Sequence, residues 1–324
     1  MKKVLMFKGA RTLVETCAQV KEGENVLIVT DTVKFDTDIA EALAAAATAV
    51  GAEAVISVMP ARLSDGEEPP KSVAEAMKKS EVFFTPVDKS ITHTLAVKEA
   101  LSAGARAIMM SDYTEDLLIS GGIEADFNAL EPICDRVVEL FTKAKKAELT
   151  TPGGTRVTMN IEGRKGRVLR GIIKPGEFGA IPNIEAGTSP IEGTAEGVII
   201  ADASVPYLGI GVLSQPIRVT VKKGIITEIE GGEEARKLQE DLANRSDPNV
   251  YNIAEIAVGL NPKARFCGIM MEDEGVLGSA HIGFGTNIMH GGNIKTELHY
   301  DLIMRNATIK LDDSLIVENG ILKV

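Results

Sequence analysis

Four short apolar runs in the first part of the chain are separated by stretches with helical spacing, and this alternation limits the fold more than any other feature. The runs are ENVLIVTD (24–31), AEAVISVMP (52–60), EVFFTPV (81–87) and ARAIMMSD (105–112). Each is nearly continuous in apolar residues, the pattern of a strand covered on both faces. Between them lie helix-like segments at 36–50, 70–80 and 92–104, the first rich in alanine and the last stopped by Gly104. Such alternation predicts an α/β unit, a parallel sheet with helices on both faces. A further helical pattern at 130–148 closes the region.

The character changes near Leu149. TTPGGTRVTMNIEGRKGRVLRG (150–171) is rich in Gly, Thr and Arg, and its short alternating runs read as antiparallel strands and turns. GVIIAD, IRVTVKKGIITEIEGG and ATIKLDDSLIVENGILKV repeat the pattern, interrupted by one polar helix at about 233–243. A chain of 324 residues has room for two domains. The expected division is a doubly wound α/β domain over 1–148 and a β-rich α+β domain over 149–324. The first strand is followed by TDTVKFD, without glycine, so the Gly-rich phosphate turn of a dinucleotide-binding sheet is missing. Chemistry is therefore expected in the second domain.

The net charge of -11 opposes binding to nucleic acid or to anionic membrane, both of which need a basic face. No apolar run approaches the ~20 residues of a membrane span. The basic start MKKVLMF breaks at Lys8 and Gly9, too early for a secretory signal, so a cytoplasmic location is expected. Cys17, Cys134 and Cys267 form no CxxC pair and read as buried small hydrophobes.

Three of the four histidines fall within HIGFGTNIMHGGNIKTELHYD (281–301). In ELHYDLIMR, His299 and Asp301 are two residues apart, so on a strand they share a face. His281 lies on a neighbouring Gly-flanked apolar run. Together they supply two imidazoles and a carboxylate, a set suited to Zn, Mn, Co or Fe(II). Glu255 is the only charge in NIAEIAVGLN, and Glu185 stands alone in IPNIEAGTSP. A buried carboxylate needs a partner such as a cation. The acidic cluster Glu272, Asp273 and Glu274 reads as a solvated turn.

The ordered motifs IPNIEAGTSPIEGTAEG, NIAEIAVGLN, GSAHIGFGTN and ELHYD resemble the aminopeptidase T family of metallopeptidases. They equally resemble its shorter relatives, which include the 2,5-dihydroxypyridine 5,6-dioxygenases. SITHTLAVKEALSAGARAIMMSD (90–112) looks like the first-domain segment of those relatives. The resemblance implies a C-terminal metal site and a homodimer. In the aminopeptidases two metals are held by residues that match Glu185, Glu255, His281, His299 and Asp301. In the dioxygenase-like relatives one Fe(II) is held by the residues matching His281, His299 and Asp301, and a histidine matching His93 lies near the substrate. Where the aminopeptidases carry a tyrosine after the first metal histidine, this chain has Ile288, with His290 close by as a substitute.

The main expectation is a metal-dependent hydrolase acting on a small molecule or short peptide. Its Zn, Co or Mn would activate water, with Glu185 as general base. The alternative is a mononuclear Fe(II) ring-cleaving dioxygenase with His93 as proton shuttle. A non-catalytic small-molecule binding module is the third reading.

Overall fold

A computed structural model describes residues 2–34 and 38–324 of the chain. Asp36, where the first expected helix begins, lies outside them. The chain forms two compact units, Met1–Glu131 with Arg170–Asn183, and Pro132–Leu169 with Ile184–Val324. It passes from one unit to the other inside the helix Phe127–Lys143, after Leu169 and after Asn183.

The first unit is an α/β layer structure. The apolar runs become parallel strands in the spatial order Glu53–Met59, Asn25–Asp31, Val82–Val87, Arg106–Ser111, and Phe178–Gly179 extends the sheet. Every residue of the central strand Val82–Val87 is buried. The edge strand Glu53–Met59 differs from its expected burial: Val55 and Val58 are 58% and 51% exposed, because only one side of this strand has a neighbour. Leu27, Val29, Phe83 and Val87 pack with Val73 and Met77 of the helix Lys71–Lys79. The helix Ile39–Val50 ends at Gly51, whose φ of 89° lets its N–H turn back to the Ala47 and Thr48 carbonyls.

Asp31 explains why the missing phosphate turn leaves no gap. Its buried carboxylate accepts from the N–H groups of Val33 (3.0 Å), Lys34 (2.9 Å) and Asp88 (2.7 Å). A side chain of the protein thus organises the strand end at which comparable sheets receive a ligand.

The second unit is dominated by two antiparallel sheets. An eight-stranded sheet runs, in space, Ile225–Glu230, Ile217–Lys222, Glu196–Ala201, Arg156–Asn160, Lys146–Thr150, Thr308–Leu311, Ser314–Glu318, Ile321–Leu322. Ile217–Lys222 alternates buried and exposed positions, as a strand with one covered face should. The polar helix Glu233–Asn244 buries Ala235, Leu238 and Leu242 and leaves its charges outside. A seven-stranded sheet runs Gly211–Val212, Ser204–Val205, His299–Met304, Ala280–Gly285, Ile253–Gly259, Glu185–Thr188, Arg167–Leu169. The fold is therefore α/β followed by a β-rich α+β unit. Among the described residues no helix is long and apolar enough to cross a membrane.

Candidate metal centre

The register of the seven-stranded sheet places five sequence-derived candidates on one face. Glu255 stands opposite Gly283, and Gly283 opposite Asp301. His299 stands opposite Gly285, His281 opposite Ala257, and Glu185 opposite Gly259. Paired residues share a face and side chains alternate along each strand, so Glu185, Glu255, His281, His299 and Asp301 all point the same way. Ile256, Ile282, Phe284 and Leu302 point the other way and are wholly buried.

Gly283 makes this convergence possible. A Cβ there would lie 2.6 Å from His299 Nε2 and 2.9 Å from Asp301 Oδ1. The glycine between His281 and Gly285 is thus the floor on which the neighbouring strand's two donors rest.

Glu255 is the hub. Its Oε2 is 3.3 Å from His299 Nε2, and its Oε1 is 3.0 Å from His290 Nδ1. His299 Nε2 also approaches Asp301 Oδ1 at 3.5 Å, and His281 Nε2 approaches Glu185 Oε2 at 3.5 Å. Among the described residues, two groups of donor atoms lie close enough to share a cation: Glu255, His290 and His299, and Glu185, Glu255 and His281. The 2-His-1-carboxylate set expected from the sequence does not form a group this tight, although its members share the face.

Burial works against charge throughout, and the pairing decides the outcome. Burial raises the Glu255 carboxyl, but His290 and His299 outweigh it and hold the group well below the usual carboxylate range. Asp301 is likewise pushed up by burial and drawn down further by His299. Burial disfavours the His299 cation, yet Asp301 and Glu255 keep the ring protonated well above its ordinary range. His290 moves the other way, since burial outweighs Glu255 and lowers it.

The orientation of His299 is set from behind. Its Nδ1 lies 2.8 Å from the Thr286 carbonyl, which can only accept, so Nδ1 carries a hydrogen and Nε2 faces the carboxylates. Two further buried atoms, His281 Nδ1 and Asp301 Oδ1, have no hydrogen-bond partner. The orphaned Asp301 oxygen, 3.5 Å from His299 Nε2 and on one face with Glu185, Glu255 and His281, fits a cation.

His290 comes from the connection between strands. It ends the short 3-10 turn Ile288–His290, which Gly291 closes at φ 87°. Its ring stacks on His299 with centroids 4.6 Å apart, and Arg167 Nη1 lies 2.7 Å from Nδ1. Arg167, Val168, Leu169, Glu185, Gly187 and Glu255 line a narrow cleft at this point. His93 belongs to the first unit, on the exposed turn before the helix Leu95–Ser102.

Three groups here carried no sequence signal as site residues. Arg167 lies in a Gly- and Arg-rich segment that reads only as strand and turn. Tyr207 donates to Asp301 Oδ2 at 2.7 Å and lies 3.2 Å from Glu274 Oε1. Glu274 belongs to the acidic cluster expected in solvent. Instead Glu272 and Asp273 are wholly buried and Glu274 nearly so. Asp273 accepts from the Cys267 (2.7 Å) and Gly268 (3.0 Å) N–H groups, which offsets the cost of its burial. Burial, followed by the nearby Asp301 charge, raises the Glu274 carboxyl well above its ordinary range. Cys17 and Cys134 are buried as expected, whereas Cys267 is exposed.

The family model for NicX, 2,5-dihydroxypyridine 5,6-dioxygenase, matches residues 6–324. The chain belongs to that dioxygenase family. A 2,5-dihydroxypyridine 5,6-dioxygenase of Pseudomonas putida is 32% identical over 159 residues, 45% of this chain and 45% of that relative. The sequence match thus spans less than half of the relative's length. The solved structure of the 2,5-dihydroxypyridine dioxygenase from Pseudomonas putida KT2440 superimposes with a TM-score of 0.82 at 21% identity, covering 98% of this chain and 97% of that one. AmpT from Thermus thermophilus superimposes with a TM-score of 0.71 at 17% identity over 100% of both chains. These superpositions establish a shared fold.

Family membership overturns the main functional expectation. The hydrolase reading, and with it the short-peptide substrate, rested on a complete set of five ligand types. That set does not discriminate, because the same mixture of carboxylates and imidazoles can hold a metal for either chemistry. Dioxygenase family membership makes an oxidoreductase the better-supported reading.

Proposed function

We propose that this chain is a metal-dependent dioxygenase that opens a hydroxylated pyridine ring, with 2,5-dihydroxypyridine as the first substrate to test. The observation that carries the reading is the orphaned buried oxygen Asp301 Oδ1, on the face where His281 and His299 each turn Nε2 toward a carboxylate. His281, His299 and Asp301 would hold the metal, with Glu255 beside them. Fe(II) suits this mixture of imidazole and carboxylate, and when bound it supplies the redox partner that dioxygen needs to react with a closed-shell ring.

The remaining residues do work that the chain itself supplies. Glu255 stays ionised and accepts hydrogen bonds, so it can orient a ring hydroxyl at the cleft. His290 and Arg167 present flat faces and N–H donors at the same edge, suited to a planar polar ring. Ile288 and Met289, 46% and 44% exposed beside His290, offer apolar surface to such a ring. His93 is proposed as the residue that moves protons for the substrate, by resemblance alone. A cytoplasmic homodimer is proposed on the same ground.

The test is metal analysis and oxygen uptake on protein prepared without air. About one Fe(II) per chain, and oxygen consumption dependent on 2,5-dihydroxypyridine, are the expected results. His299→Ala should lose both. Protein that takes up no Fe(II), or loads it and consumes no oxygen with any dihydroxypyridine, would refute the proposal.

A further inference from the structure

We infer that Tyr207 is a positioning residue for the metal centre, occupying one oxygen of Asp301 so that the carboxylate offers only the other to the cation. The inference rests on the reading of Asp301 as a ligand. A phenol has one proton to give, and the two carboxylates around it are unequally close, Asp301 Oδ2 at 2.7 Å and Glu274 Oε1 at 3.2 Å. The shorter contact identifies Asp301 as the acceptor. Asp301 Oδ1, the other oxygen, is buried, has no hydrogen-bond partner and lies 3.5 Å from His299 Nε2. The carboxylate is therefore divided, with one oxygen engaged by the protein and one directed at the imidazole donors.

The phenol is itself held in place. Its ring stacks on Tyr300 with centroids 4.7 Å apart and planes 28° from parallel. Tyr300 meets Phe284 edge-on at 5.9 Å, and its hydroxyl accepts from Arg245 Nη2 at 3.1 Å. Tyr300 and Phe284 lie on the strands that carry Asp301 and His281, at paired positions. The rings on the apolar face of the sheet thus brace a hydroxyl that acts on the polar face. A free carboxylate can chelate through both oxygens and take up an extra coordination position. With Oδ2 engaged, that position stays open, and a ring-cleaving site needs open positions.

The closing experiment uses Co(II) as the probe on the full chain, because its visible spectrum reports coordination number. Tyr207→Phe keeps the stacked ring and removes only the hydroxyl. Its Co(II) affinity is expected to fall about 10- to 100-fold, with a weaker, shifted visible band as Asp301 becomes bidentate. Tyr300→Phe, which removes a hydroxyl with no link to Asp301, should keep the unaltered affinity and spectrum. A Tyr207→Phe protein with both properties unchanged overturns the inference while leaving the metal centre intact. Equal losses in both variants overturn it too, since they reduce the effect to packing. Failure of the unmodified chain to bind Co(II) overturns the metal-centre reading and this inference with it.

Discussion

Gly283 shows how much of the centre depends on an absent atom. A methyl group there would collide with His299 Nε2 and Asp301 Oδ1, and both belong to a strand that cannot retreat without breaking its ladder. Gly283→Ala is expected to cut metal affinity at least tenfold while costing about 1–3 kcal/mol of stability, measured by metal titration alongside chemical unfolding. His299 leads to a second prediction. In the metal-free protein its ring stays protonated above the ordinary imidazole range, and the proton on Nε2 lies where a cation would be bound. Binding must displace it, so loading should release about one proton per chain. Affinity should rise with pH through the neutral range and level off once the raised His299 value is passed. Titration in buffers of different ionisation enthalpy measures the proton directly, and a pH-independent affinity would contradict the assignment.

At the level of elements, the connection between the two histidine strands is anchored separately from the strands. Asn287 is fully buried, accepts from the Ile294 N–H at 2.7 Å, and donates to Glu192 at 2.9 Å and Ser189 at 3.1 Å. Arg164 bonds the Gly291 carbonyl and Glu192. These bonds hold His290 over His299. Asn287→Ala should therefore raise KM several-fold with metal content unchanged, and lower stability by about 1–3 kcal/mol from the groups left unpaired. The strands themselves were legible in the sequence to different degrees. Continuous apolar runs announced the first sheet because burial on both faces leaves a strong signature. The H-x-D spacing announced a shared face because strand geometry alone requires it. Arg167, Gly283 and Tyr207 were not legible, since their importance comes from neighbours across the sheet and not along the chain. The acidic cluster misled for a related reason: Asp273 is buried because backbone N–H groups of Cys267 and Gly268 converge on it, and no composition rule records that.

For the molecule as a whole, a cation bound by side chains on adjacent strands would cross-link the second unit. Removing it with a chelator should lower Tm, and the lost stabilisation is about 2.7 kcal/mol when free metal stands at 100 times its Kd. Scanning calorimetry with and without chelator checks this, and an unchanged Tm would place the metal elsewhere. The family match extends over residues 6–324, whereas the face of carboxylates and imidazoles is by itself compatible with hydrolysis and with oxygenation. Function at this scale was thus less legible than fold or site. The division of labour inside the centre also has a structural consequence. Five donors stand on strands, where a register slip of one residue would turn them away together, whereas His290 and its apolar neighbours stand on a turn whose length the ladder does not constrain. Redrawing that turn would remodel the surface beside the centre and leave the five donors in place on their strands.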